Sequence, residues 1–259
     1  MERDARRREA SSFGAAAVAY AEHRPDYAPA AVRWALEHSP GPRVLDLGAG
    51  TGKLTGTLVA LGAAVSAVEP DPAMLAELRR GLPAVRALPG SAEAIPLPDS
   101  SVDAVLAGNA MHWFDLDVAG PEMARVLSPG GTLAGLWNVL DDRVAWVDAL
   151  ERTSGDAAIG PRDTLSSWRA ATARLHLPDS GRNAVFGTPE QAEFPHGQRR
   201  TVDSLVATIA TRAGLLVMAD DAREAVLGRI RAFLASRPET TGREFTLPLL
   251  TGVLRVRQL

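Results

Sequence analysis

The sequence predicts an α/β protein built on a doubly wound, mostly parallel sheet. Three observations lead there. Arg43 to Thr55 reads RVLDLGAGTGKLT, an apolar strand, a glycine turn and the opening of a helix. Short apolar runs then alternate with helical patterns as far as Trp137, the order that yields parallel strands with crossover helices. The second run ends in an acid, Glu69, roughly twenty residues past the glycines, where such folds grip a ribose.

Composition sets the outer bounds. The chain has 259 residues, 46% hydrophobic and 23% charged, enough apolar surface for a core and too much for global disorder. A net charge of −3 leaves no basic footprint for nucleic acid. With no cysteine, disulfides, thiolate metal sites and a cysteine nucleophile are excluded. No run of eighteen apolar residues occurs, and the charged start, MERDARRR, leads into no apolar signal core, so a cytoplasmic protein with no membrane partner is expected. His23, His38 and His176 lack metal-ligand spacing, and no metal is expected.

The elements follow in order. Residues 1–10 form a charged leader. Ser12 to Tyr20 is a small-residue helical stretch, ended by Arg24-Pro25-Asp26-Tyr27 because a residue before proline is turned away from helix. Ala28 to His38 is an amphipathic helix, with Val32, Leu36 and Trp34 facing inward. Val44-Leu45-Asp46-Leu47 is the first strand. Gly48-Ala49-Gly50-Thr51-Gly52 turns it into the next helix, leaving bare backbone and unpartnered first-turn N–H groups for a polar ligand. Ala63 to Val68 is the second strand. Asp71-Pro72 then supplies an N-cap and a first-turn proline for a helix through Arg80, with Met74 on its early turns.

Ala84 to Leu88 is the third strand and Ser101 to Leu106 the fourth. The fourth runs into Asn109 and His112 at a strand end beside the first strand, where ligands of open α/β sheets lie. Ala119 to Leu127 is helical, Ser128 to Gly131 a turn, and Thr132 to Trp137 the fifth strand. Beyond Asn138 the pattern gives helices over 142–157 and 163–175, with Trp146 and Trp168 packing. A strand around Ala192 to Gln198 carries His196, and helices follow over Val202 to Ala213 and Asp221 to Leu234. Phe245 to Val256 is a last strand, and Pro248 within it points to an edge or a bulge.

Several of these segments carry a resemblance. The turn spells hhDLGxGxG, and Lys53 stands where a dinucleotide fingerprint needs its third glycine. The pattern resembles motif I of the class I S-adenosylmethionine (SAM)-dependent methyltransferases. F-x(6)-Y-x(3)-RP-x-Y, with Phe13, Tyr20, Arg24, Pro25 and Tyr27, is similar to the leader of the type-11 or trans-aconitate-methyltransferase-like branch. Gly90-Ser91-Ala92-Glu93-Ala94-Ile95-Pro96, Ser101-Val102-Asp103-Ala104-Val105 and RVLSPGGTLAGLW from Arg125 to Trp137 each resemble a later segment of the same family, and the pair His112-Trp113 resembles one in the same branch.

The resemblance implies a Rossmann-like methyltransferase fold of seven strands, the last antiparallel, with helical insertions covering the pocket. It divides the chain into a capping N-terminal segment (1–40), a SAM-binding core (41–141) and a remainder with substrate-covering helices (142–259). SAM is then the cofactor and S-adenosyl-L-homocysteine the product. Asp46, Gly48, Ala49, Gly50, Thr51 and Gly52 cup the cofactor, Glu69 beside Pro70 takes the ribose, and Met74 lies near the adenine. Ser91 and Ala92 read the adenine edge. Glu93 belongs to the same segment, although by itself it reads as a surface or helix-start acid. Asn109 and His112 face the methyl group and acceptor.

A sulfonium methyl is already activated, so orientation and exclusion of water suffice. His112 is the candidate base or acceptor orienter. A carboxylate acceptor needs no base, and Arg24, Tyr20 or Arg212 would orient it. The expected partner is a small-molecule acceptor, with oxygen favoured. Nitrogen or carbon acceptors, and a SAM-binding protein or cyclase, stay open, whereas Lys53 disfavours an NAD(P) oxidoreductase. Monomer and dimer are both compatible with the sequence.

Overall fold

The computed structural model describes residues 13–173 and 186–259. The charged leader over residues 1–10, His176 and the end of the helix expected over 163–175 lie outside the described residues. Seven strands form one sheet: β1 (Arg43–Leu47), β2 (Ala64–Glu69), β3 (Arg86–Pro89), β4 (Val102–Gly108), β5 (Leu127–Leu140), β6 (Glu190–Arg200) and β7 (Phe245–Arg257). Their order is β3-β2-β1-β4-β5-β7-β6. Strands β1 to β5 pair in parallel, with Val44 opposite both Val65 and Ala104, and the last strands are antiparallel. The order reverses beside β1, between β1 and β4, which places the ligand crevice of a doubly wound sheet at their carboxyl ends.

Ten α-helices are described: α1 (Ala17–His23), α2 (Pro29–Leu36), α3 (Lys53–Ala60), α4 (Pro72–Gly81), α5 (Leu116–Val126), α6 (Ala145–Ser154), α7 (Leu165–Thr172), α8 (Val202–Ala210), α9 (Ala213–Leu216) and α10 (Asp220–Ala235). Asp71 caps α4 as its sequence requires, its Oδ1 accepting the N–H groups of Ala73 (2.8 Å) and Met74 (3.0 Å). Helix α5 begins three residues earlier than the periodicity predicts and encloses Pro121. The expected Pro-Gly-Gly turn is absorbed into β5, which runs unbroken from Leu127. Gly130 takes the left-handed φ of 74° there, and a Cβ on Gly131 would sit 2.8 Å from both Leu127 Cδ2 and Ser128 O. Of the two readings of β7, an edge or a bulge, the edge is corrected. The strand lies between β5 and β6, so β6 is the edge, and the Pro248 carbonyl accepts the Asp141 N–H at 3.1 Å.

By internal contacts the chain divides into two units. One comprises the described parts of Asp26–Trp137, Arg174–Phe194 and Thr251–Leu259. Its cores include Tyr27, Val32, Leu54, Leu58, Leu106 and Leu136, and separately Leu75 and Leu78. The other comprises the described parts of Met1–Pro25, Asn138–Ala173 and Pro195–Leu250, with a core of Trp146, Leu150, Leu205, Ile209, Ile230 and their neighbours. Trp146 packs edge-on against Phe245 there, and Trp168 is buried.

Two ionic clusters tie the first unit together. The ladder between β4 and β5 slips between Val102 and Ala104, and Asp103 at that irregularity receives Arg43. Its carboxylate accepts the Arg43 backbone N–H (3.0 Å), Nε (3.0 Å) and Nη2 (2.6 Å), and the Ser128 hydroxyl (3.0 Å). Gly41 leaves the room: a Cβ there would lie 2.8 Å from Asp103 Cγ. In the second cluster the buried Arg255 guanidinium stacks 3.7 Å over the Trp34 ring, donates to the Trp34 carbonyl and meets Glu37 and Glu190.

The Arg43 guanidinium holds the Asp103 carboxyl at about 2, below its ordinary 3.8. A depressed carboxyl contributes stability above its unfolded value and loses it as pH falls toward the folded one. The structure therefore predicts a stability loss between about pH 4 and pH 2 that Asp103→Asn abolishes, together with a drop of about 2 kcal/mol at neutral pH in that variant. Urea titration across this pH range measures both.

Candidate functional site

The site is built on the turn after β1. Gly48, Gly50 and Gly52 all take left-handed φ values, 69°, 57° and 90°, which side chains resist. The turn is tied to β2: the N–H groups of Gly48 and Ala49 both donate to Val68 O, at 2.9 and 3.1 Å. Glu69 Oε2 accepts the Gly50 N–H at 2.8 Å, and Oε1 accepts the Asp71 N–H at 2.9 Å. Burial raises the Glu69 carboxyl above its ordinary value, against the pull of those two N–H groups. Each oxygen keeps acceptor capacity toward a pair of hydroxyls.

Beneath the turn, Asp46 is fully buried. Thr55 on α3 donates its hydroxyl to Oδ2 at 2.6 Å, while Oδ1 has no partner among the described residues. Burial pushes the Asp46 carboxyl up to about 7, the Thr55 bond counters in part, and the Glu69 carboxylate adds a further upward push. The buried Thr51 hydroxyl is likewise without a partner. An orphaned buried carboxylate oxygen is costly unless something satisfies it. Around the glycines, a Cβ at Gly50 would meet nothing within 4 Å, whereas one at Gly48 or Gly52 would press on Ala110, or on Leu78 and Leu82. Two glycines serve packing and one faces open space.

The loop after β4 closes onto this turn. The absent Cβ of Gly48 would lie 2.7 Å from Ala110 Cβ and 3.4 Å from Phe114 Cε1. Asn109 takes a left-handed φ of 50° while its N–H donates to Leu136 O at 2.7 Å, a strained position of the kind found where a loop is held for a purpose. Glu93 Oε1 accepts the Asp115 N–H at 2.9 Å, which joins the Ser91-Ala92-Glu93 segment to the same loop. His112 lies in a 3-10 turn, Met111–Trp113; its Nδ1 accepts Trp137 Nε1–H at 3.3 Å and its ring lies 4.7 Å from that of Trp113.

The structure thus gathers Asp46, the glycines, Ala49, Thr51, Glu69 and the loop of Asn109 and His112. Glu93 binds backbone, Met74 and Ala92 are buried, and Pro70 and Ser91 follow β2 and β3. Tyr20 and Arg24 belong to the other unit. Arg24 donates from Nε to Thr211 Oγ1 (2.8 Å) and from Nη2 to Thr211 O (2.9 Å), and lies 4.8 Å from the Tyr20 ring centre. Tyr20 meets Phe13 edge-on, and Arg212 pairs with Asp163.

Three residues at the turn escaped the sequence reading as site residues: Thr55, Lys53 and Tyr27. Lys53 Nζ lies 3.4 Å from Asp26. A Cβ at Gly108 would lie 2.6 Å from the Tyr27 hydroxyl, so this tyrosine seats on the end of β4. The leader motif that contains Asp26 and Tyr27 was the available signal. Among the described residues no group of three or more His, Asp or Glu could hold a metal ion, and no helix is long and apolar enough to cross a membrane.

Comparison with known proteins bears on the family and the fold. A family model described as a methyltransferase domain matches residues 45–135. An uncharacterized methyltransferase of Mycobacterium tuberculosis is 41% identical over 245 residues, 94% of each chain. A malonyl-[acyl-carrier protein] O-methyltransferase of Methylococcus capsulatus is 38% identical over 149 residues, 52% of this chain and 54% of its own. A solved structure of a provisionally assigned type II methyltransferase from Anaeromyxobacter dehalogenans superposes with a TM-score of 0.58 at 25% identity, covering 91% of this chain and 97% of that one.

The residues fit the cofactor that this likeness implies. The orphaned Asp46 Oδ1 suits an α-ammonium group, Gly50 leaves space against bare backbone, and Glu69 suits ribose hydroxyls. Two outcomes follow. Glu69→Gln is expected to weaken S-adenosylhomocysteine binding about tenfold or more, through lost charge-assisted bonds; unchanged affinity by calorimetry would remove the ribose assignment. Asp46 sets a pH dependence. Its raised carboxyl keeps a proton in the folded chain between about pH 4 and 7 that the unfolded chain has lost, so the ligand-free fold loses stability as pH rises through that window. A cationic partner favours the charged form. Affinity should therefore rise toward pH 7 by at most about tenfold per pH unit and level off above it, and Asp46→Asn should flatten the curve.

Proposed function

Because the chain belongs to the methyltransferase-domain family, and so is a SAM-dependent methyltransferase acting on small molecules, we propose that it methylates oxygen, specifically a carboxylate oxygen, as a member of the trans-aconitate-methyltransferase-like branch. The observation that carries this reading is the loop of Asn109 to Asp115. Its Ala110 and Phe114 pack on Gly48 where β1 ends, and the same loop carries one imidazole, His112. The shared half-chain of an O-methyltransferase supports the choice of oxygen.

When bound, SAM supplies an electrophilic methyl group on a positively charged sulfur. The rest is positioning. Asp46 takes the ammonium charge, the backbone from Gly48 to Gly52 lies against the amino-acid portion, and Glu69 holds the ribose beside Pro70. Met74 and the Ser91–Glu93 segment border the adenine, and Asn109 fixes the loop near the methyl group. His112 holds the acceptor oxygen. Orientation of two reactants in this manner supplies roughly 7–11 kcal/mol of barrier reduction, so no nucleophile of the protein is needed. Acceptor choice is assigned to residues 142–259.

The test is incubation with SAM and a panel of aliphatic mono- and dicarboxylates, with base-labile methyl esters read by mass spectrometry. Esters are expected. Methylation at nitrogen or carbon, or tight SAM binding without turnover across the panel, would overturn the proposal. His112→Ala should lower kcat about a hundredfold, as loss of a preorganised donor does, and leave SAM affinity within about twofold.

A further inference from the structure

Gly135 and Trp137 are two residues apart on β5 and so share a face of the sheet. A Cβ on Gly135 would overlap the Trp137 ring, at 2.7 Å from Cζ3 and closer still to Cη2. The glycine is what lets the indole lie against the strand. The seated indole is buried, and its Nε1 reaches His112 Nδ1 at 3.3 Å. An indole N–H only donates. The imidazole nitrogen facing it must therefore be the bare one, and in neutral histidine the proton then sits on the other nitrogen.

We infer that Trp137 is a positioning residue that fixes His112 as its Nε2–H tautomer, so that His112 meets the methyl acceptor as a hydrogen-bond donor and not as a base. The inference rests on His112 facing the acceptor, as argued above, and it states what kind of oxygen the site can use. A carboxylate oxygen forms the new O–CH3 bond as the S–CH3 bond breaks, and the electron pair of the broken bond stays on sulfur. Carboxylate and sulfonium both become neutral, and no proton changes hands. A hydroxyl acceptor would have to release a proton in the same step. Nε2 carries hydrogen in this tautomer, and Nδ1 is engaged by the Trp137 N–H, so His112 offers such a proton no lone pair. A donor at Nε2 serves an acceptor that arrives already ionised.

The tautomer is read directly from long-range 1H–15N spectra of the full chain labelled at histidine, at pH 8 with S-adenosylhomocysteine present and His112 assigned from the spectrum of His112→Gln. The expected result is a protonated Nε2 and a bare Nδ1 in the wild type, relaxing to the mixed tautomers of free imidazole in Trp137→Phe. A proton on Nδ1 in the wild type, or a tautomer that does not change in Trp137→Phe, overturns the inference. Should that variant not fold, the wild-type spectrum decides alone. Kinetics with a methylated carboxylate gives a second reading. The amide N–H of His112→Gln reaches the place of Nε2–H, so this variant should keep kcat within about tenfold of wild type while His112→Ala falls about a hundredfold. Equal losses in the two variants would overturn the donor role. Methylation at nitrogen or carbon would sink the carboxylate reading and leave the tautomer spectrum unchanged, so the two failures are distinguishable.

Discussion

The Glu69 carboxylate accepts the Gly50 N–H with one oxygen and the Asp71 N–H with the other, and it does so while almost out of contact with water. Those two bonds hold the glycine turn against the end of β2. The turn in turn supports the loop after β4, because Ala110 and Phe114 rest where Gly48 has no side chain. Glu93 fixes the far end of that loop through Asp115. The loop that carries Asn109 and His112 therefore depends on a chain of contacts that begins at one buried acid. A carboxylate used in this way needs its charge, since only the ionised form accepts at both oxygens without donating at either.

A second buried acid lies just below. Burial raises both carboxyls, Glu69 adds to the push on Asp46 and Asp71 to the push on Glu69, and among the described residues the hydrogen bonds to Asp46 and Glu69 include no lysine or arginine. Lys53, one residue beyond the last glycine, is paired outward with Asp26. The turn is thus an electronegative pocket with bare backbone at its rim. This composition suits a ligand that carries positive charge at both its ammonium and its sulfonium, and it is poor for a pyrophosphate, which the third glycine of a dinucleotide fingerprint would have admitted.

Much of the fold was legible because periodicity and turn chemistry are local. The strand, glycine turn and helix at Arg43–Thr55 and the Asp71 cap are each written within about a dozen residues. What was not legible required knowledge of distant partners. Pro248 made β7 look like an edge or a bulged strand; the strand lies between β5 and β6, and the proline carbonyl accepts the Asp141 N–H. The Pro-Gly-Gly run spelled a turn, but Gly130 and Gly131 are needed for a bend within β5 and for close packing against Leu127. At the candidate site, the glycine turn itself followed from its motif. The anchoring of Arg24 on Thr211, 187 positions away, and of His112 on Trp137, 25 positions away, left no local trace.

The interior place of β7 bears on how the molecule is made. Strand β7 spans Phe245–Arg257 and joins β5, which was synthesised more than a hundred residues earlier, to the edge strand β6. While the polypeptide is still being extended on the ribosome, β5 and β6 each have an open flank with no neighbour to pair with. The cofactor turn and its parallel strands can assemble as they emerge, but the sheet closes only when residue 257 has left the exit tunnel. Such long-range closure is slow, and nascent chains with unpaired strand flanks are prone to associate. The late cover of the β5 flank is therefore written into the strand order itself.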